Sequence, residues 1–96
     1  MLTGKQKRFL RSNANNLQPL VHIGKSGLSE SVIAQIEEAL EAKELIKVTI
    51  LQNCEEDKND IAAKLDNEVG IEVVQVIGSI IVLYKESVEK KRIELP

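Results

Sequence analysis

The sequence predicts a single α/β domain of element order α-β-α-β-α-β-β, a four-stranded mixed sheet carrying three helices. Three observations lead to that prediction. Apolar residues recur at helical spacing in three stretches, with β-branched runs between them. A strand, a helix and a second strand follow one another directly, which makes a right-handed unit with parallel strands. Near the end of the chain, Gly78-Ser79 separates two apolar runs and suits a type II′ hairpin turn, with glycine at the first central position. At 96 residues, 43% of them apolar, with no linker and no internal repeat, residues 1–96 are expected to form one domain.

The first helix is predicted from Thr3 to about Asn16. Thr3-x-x-Gln6 matches a capping box with Thr3 as N-cap. Leu10, Ala14 and Leu17 share one face, and Phe9 beside them is expected to join the core. Asn13, Asn15 and Asn16 weaken the helix and end it. Pro19 opens a strand that runs from Leu20 to Ile23, because a first position tolerates the missing N–H. Gly24-Lys25-Ser26-Gly27 turns the chain, and Ser29 caps a second helix reaching about Glu44. Val32, Ile33, Ile36, Ala39 and Leu40 form its apolar stripe, leaving Glu30, Glu37, Glu38, Glu41 and Glu44 on its outward side.

Leu45 to Leu51 reads as a strand, with Ile46, Val48 and Ile50 on one face and Lys47 and Thr49 on the other. Glu55-Glu56-Asp57 load the start of a third helix with the negative charge its dipole favours. Ile61, Leu65 and Val69 are the predicted buried stripe of that helix, and Gly70 its C′ residue. Ile71 to Ile77 and Ile80 to Tyr84 are the last two strands. The tail, Lys85 to Pro96 and above all residues 86–96, is expected to be a frayed end rather than an extra contact arm.

Composition narrows the function. No run approaches the ~18 to 20 apolar residues of a membrane span, and the first residues lack a secretory signal's long apolar region. A lone cysteine, Cys54, forms no internal disulfide and fits a reducing cytoplasm. The net charge of −2 conceals an asymmetry. Residues 1–29 hold Lys5, Lys7, Arg8, Arg11 and Lys25 with no acidic residue, while residues 30–96 hold the other 8 basic and all 15 acidic residues. A basic face on an otherwise acidic protein is the expected result.

The glycine turn lies within that basic segment. Glycine permits φ > 0 and leaves no Cβ to hold a ligand away, and the turn leads into a helix N-terminus with Lys25 at its tip. It reads either as a tight turn alone or as a receiver for an anion, most naturally a phosphate. Lys5, Lys7, Arg8 and Arg11 form a basic band on the first helix with no interleaved carboxylate, which favours a nucleic-acid role over a merely solvated face. His22 either flanks the phosphate pocket or is an ordinary strand residue alternating with Val21 and Ile23. Catalysis finds few parts. One histidine and one cysteine far apart in the chain make no zinc site, and the turn lacks the spacing of a P-loop. No cofactor, metal or small-molecule substrate is expected. With Phe9 assigned to the core and Tyr84 the one other ring, recognition is expected to read RNA backbone and shape rather than stacked bases.

Three ordered motifs carry a resemblance over essentially the whole chain. They are Leu2-Thr3-Gly4-Lys5-Gln6-Lys7-Arg8-Phe9-Leu10-Arg11, then Leu17-x-Pro19-Leu20-Val21-His22-Ile23-Gly24-Lys25-Ser26-Gly27-Leu28-Ser29, then Glu44-Leu45-Ile46-Lys47-Val48. Together they resemble the CRM domain (chloroplast RNA splicing and ribosome maturation), in its stand-alone bacterial YhbY form. The resemblance implies a fold similar to the C-terminal domain of translation initiation factor three, and a Gly-x-x-Gly loop used as in KH domains. It implies RNA contact by Gly24, Lys25, Ser26 and Gly27, with Lys5, Lys7, Arg8 and Arg11 of the first helix and, more weakly, Lys47. It also implies association with precursors of the large ribosomal subunit, since plant members that act in splicing carry extra domains. The expected protein is therefore a cytoplasmic, monomeric, non-catalytic module docking on ribosomal RNA. Two alternatives stand beside it. One is a protein–protein adaptor working through Glu37, Glu38 and Glu41; the other is a small phosphate-ester enzyme using the turn as an anion hole and His22 in catalysis.

Overall fold

Two helices cover one face of a four-stranded sheet and the third helix covers part of the other. The computed structural model describes residues 2–96. Along the chain come α1 (Gly4–Ala14), β1 (Pro19–Ile23), α2 (Glu30–Lys43), β2 (Leu45–Ile50), α3 (Lys58–Asp66), β3 (Glu72–Ile77) and β4 (Ile80–Tyr84). The predicted α/β order holds. Strands lie in the order β1-β2-β4-β3. β1 and β2 run parallel, as a strand–helix–strand unit requires. β4 is antiparallel to both β2 and β3, which makes the sheet mixed. Gly78 takes φ +55 while Ser79 stays out of the positive region, as a type II′ turn demands.

Period-two alternation decides which helix each strand residue meets. Val21, Ile23, Ile46, Val48, Ile81 and Leu83 point to one side, where they pack with Ile36 and Leu40 of α2 and Ile61 and Leu65 of α3. Leu45, Val82 and Tyr84 point to the other and meet Leu10 and Ala14 of α1, with Leu17 at the margin. The core, aliphatic but for Tyr84, thus sits in two layers, one on each face of the sheet. The capping box of α1 forms as read: Gln6 N donates to Thr3 Oγ1 (3.1 Å), and Thr3 N donates to Gln6 Oε1 (3.0 Å).

Four expectations need correction. Phe9 is 37% exposed, because it lies on the flank of α1 rather than on the Leu10–Ala14 stripe. α3 ends at Asp66, so Val69 falls outside its stripe and is exposed, and Gly70 serves a later turn with φ +82 rather than the C′ position. Glu44 is buried, not outward. It takes φ +66 as the C-cap residue just after α2, which swings its side chain inward. The tail, expected to fray, is seated against α1 and the end of α2. Ser87 N, Arg92 N and Ile93 N all donate to the Glu44 carboxylate, at 2.8, 2.5 and 2.7 Å. Glu41 accepts from Val88 N, Glu89 N and Ser87 Oγ at 3.0, 3.1 and 2.8 Å. Ile93 and Leu95 then pack against the α1 side of the core.

Candidate nucleic-acid interface

The glycine loop stands where β1 leaves the sheet and α2 begins. Gly27 N donates to Gly24 O (2.9 Å), closing a β-turn that places Lys25 and Ser26 at its two exposed central positions. Among the described residues, the Lys25 and Ser26 amides have no partner within the chain. The next amides are engaged: Leu28 N donates to Glu56 Oε1 (2.7 Å) and Ser29 N to Gly27 O (3.0 Å). Ser29 Oγ accepts from Val32 N (3.2 Å) as N-cap of α2. Among the described residues, the amides without a partner are therefore those of Lys25 and Ser26 at the tip and those of Glu30 and Ser31 in the first turn of α2.

The two glycines differ in their need for glycine. Gly27 is buried with φ +65, and a Cβ there would overlap the Glu56 carboxylate. Gly24 has no positive φ, and a Cβ would make ordinary contacts, 3.7 Å from Asn53 Oδ1 and Leu51 Cδ1. Glu56 is the residue that sequence reasoning missed. Read there as a charge for the α3 dipole, it instead reaches back 28 positions to hold the loop, while its other oxygen accepts from Lys64 Nζ (2.5 Å). The Lys64 ammonium, and then the Leu28 amide, hold its carboxyl below the usual carboxylate range. No local spacing connects residue 56 to residue 28, so only the fold reveals the pairing.

The basic residues of α1 spread around the helix. At 100° per residue, Lys7, Arg11, Arg8 and Lys5 follow one another over about 160° of its circumference. Lys7 and Arg11 are half-buried beside the core stripe; Arg8 and Lys5 are exposed. Gln6, Phe9 and Asn13 form the opposite flank, where the tail lies: Gln6 Nε2 donates to Pro96 O (3.2 Å), and Phe9 lines a hollow with Lys91 and Arg92. Lys7 and Arg11 thus face away from the tail.

Beyond α1 the same sheet face stays open. His22 is exposed there, opposite the buried Val21 and Ile23 and in register with Thr49. Lys47, half-buried, pairs with Val82 on that face, one strand in from the β1 edge. The fold therefore puts His22, Lys47 and α1 on one face of the sheet, with the glycine loop at the end of the edge strand.

The acidic surface of α2 is less available than expected. Glu37 pairs with Lys85 Nζ (3.0 Å), and Glu41 and Glu44 hold the tail. Among the described residues, no group of three or more histidine, cysteine or acidic side chains is placed to hold a metal. Among the same described residues, no helix is long and apolar enough to cross a membrane.

Comparison with known proteins agrees with this architecture. Residues 2–85 match the CRS1 / YhbY (CRM) domain model. The chain is 62% identical over 96 residues, the whole of both chains, to the probable RNA-binding protein YqeI of Bacillus subtilis. It is 45% identical over 95 residues to an RNA-binding protein of Haemophilus influenzae, covering 99% of this chain and 95% of that one. The solution structure of a hypothetical protein from Staphylococcus aureus superposes with a TM-score of 0.82 at 56% identity, covering all of both chains. A match spanning nearly the whole chain, with relatives this similar from end to end, leaves no ambiguity of kinship: this chain belongs to the CRS1/YhbY (CRM) domain family.

Proposed function

We propose that this protein is a non-catalytic, cytoplasmic RNA-binding module that docks as a monomer on structured ribosomal RNA during assembly of the large subunit. The observation behind this reading is the loop tip, where two unpartnered amides and the Lys25 ammonium meet at an exposed turn. Successive backbone N–H groups in a turn form a concavity suited to a phosphate. Lys7, Arg8 and Arg11 extend the contact along the neighbouring strand as phosphate partners, with Lys5 at the far edge. His22 and Lys47 lie between loop and helix on the same sheet face, where each reaches backbone or sugar. Contacts of this kind position an RNA without reading its sequence. Membership of a family whose relatives are named RNA-binding proteins supports the choice of ligand.

An adaptor acting through the acidic face of α2 gains nothing from the geometry, since Glu37 and Glu41 are both engaged inside the chain. The test is direct binding to fragments of large-subunit ribosomal RNA. Lys25→Glu is expected to weaken it at least tenfold while the circular-dichroism spectrum and melting temperature stay in place, because an exposed loop tip carries little packing. Unchanged affinity would remove the loop from the interface.

A further inference from the structure

Beyond Lys5 at its edge, the flank of α1 that carries Phe9 has no part in the interface described so far, and its composition is unusual. Phe9 is the chain's only phenylalanine, and it is 37% exposed where a buried ring was expected. It lies in an open hollow of about 620 Å³ with Lys91, Arg92 and Glu94 of the tail. Lys5, one helical turn before Phe9, is exposed on the same side.

The placement of the tail residues is built rather than incidental. The Glu44 carboxylate accepts from the Arg92 and Ile93 amides, and alternation along the tail turns Ile93 and Leu95 inward and Arg92 and Glu94 outward. Lys91 is paired with Glu86 (3.0 Å), which leaves Arg92, among the described residues, as the hollow's tail cation without an ion-pair partner. An aromatic face flanked by cations on two different elements is the arrangement that binds a nucleotide: ring against base, cations against the adjoining phosphates. Glu94 offers acceptors to an exocyclic amino group at the base edge.

We propose that Phe9, Lys5 and Arg92 form a subsite for an unpaired nucleotide of the bound RNA. This rests on the RNA-binding reading and deepens it, since a strand crossing α1 from the glycine loop reaches Phe9 after Lys7, Arg11 and Arg8. A shape-reading surface thereby acquires one position that distinguishes a looped-out or single-stranded nucleotide from a paired one.

The chain contains no tryptophan, so Phe9→Trp installs a single fluorescent reporter at the subsite. Titration with a short oligoadenylate is expected to quench its emission in step with the anisotropy of labelled RNA, whereas an abasic oligomer of equal length quenches nothing. Phe9→Leu keeps the apolar packing and removes the ring; it is expected to weaken oligoadenylate binding roughly tenfold, the scale of one base–aromatic stack, and Phe9→Tyr to restore it. Binding without quenching, or equal affinity of Phe9→Leu, would overturn the subsite. So would binding to a ribosomal RNA fragment with none to oligoadenylate, and in that case the RNA reading stands. Absence of binding to either probe would remove both.

Discussion

Gly24 and Gly27 are the same residue three positions apart, yet the fold asks different things of them. Gly27 sits at φ +65 with the Glu56 carboxylate against its Cα, so Gly27→Ala brings both backbone strain and a steric overlap. That variant is expected to lose about 1–3 kcal/mol of stability by denaturant melting. Gly24→Ala meets only van der Waals neighbours and is expected to melt as the wild type does. Equal stability of the two variants would contradict the role given to Glu56. Its hydrogen bond to Leu28 N also makes a pH prediction. Its folded-state pKa is lowered, so this contribution is complete above the unfolded value near 4.3 and is lost as pH falls through the lowered value. The Leu28 amide signal is expected to shift with that titration in an NMR series, and Glu56→Gln to abolish the transition. At this scale the sequence was partly legible. Lys25, Ser26, Arg8 and Lys5 are exposed as charge and turn chemistry require, whereas Glu56, Glu44 and Phe9 were misjudged. Their environments are set by contacts from residues 28 to 49 positions away, or by the flank of a helix whose partner lies at the other end of the chain.

Elements were more legible than side chains, because periodicity and caps act locally. All seven were foreseen in order, and Thr3 and Ser29 cap their helices through the bonds their chemistry suggests. The tail was not. It contains no regular element, and the acceptors that hold it, Glu41 and Glu44, look in sequence like solvated positions on α2. Burial raises the Glu44 pKa, but the amides of Ser87, Arg92 and Ile93 outweigh it and the net shift is downward. The tail is accordingly held above the unfolded pKa near 4.3 and released as pH falls through the lowered value. Amide exchange at Ser87, Arg92 and Ile93 is expected to accelerate over that range while the core of β2 and β4 stays protected. Glu44→Ala leaves three amides without their acceptor and is expected to cost about 2–3 kcal/mol, with the tail signals becoming those of a mobile chain. A tail that stays protected in that variant would show that Ile93 and Leu95 suffice to hold it.

The whole molecule separates two surfaces that the net charge of −2 averages away. The basic segment supplies α1 and the glycine loop, while Glu37 pairs with Lys85 and Glu41 and Glu44 hold the tail. The asymmetry was plain in the sequence; that α1 and the loop come near a common sheet face was not, because it depends on the parallel pairing of β1 with β2 and on which face α1 covers. With Lys25, Lys7, Arg8 and Arg11 each neutralising one phosphate, affinity for RNA is expected to fall by roughly three decades per tenfold rise in salt. A salt-independent affinity would speak for a different chemistry of recognition. The most direct measurement compares the wild type with a Lys25→Glu/Arg8→Glu/Arg11→Glu variant, titrating each with a large-subunit ribosomal RNA fragment over a salt series. Circular dichroism establishes that both are folded. Loss of binding by a folded variant, with a steep salt dependence in the wild type, is the expected result. Equal binding by the two proteins would contradict a basic RNA-docking face.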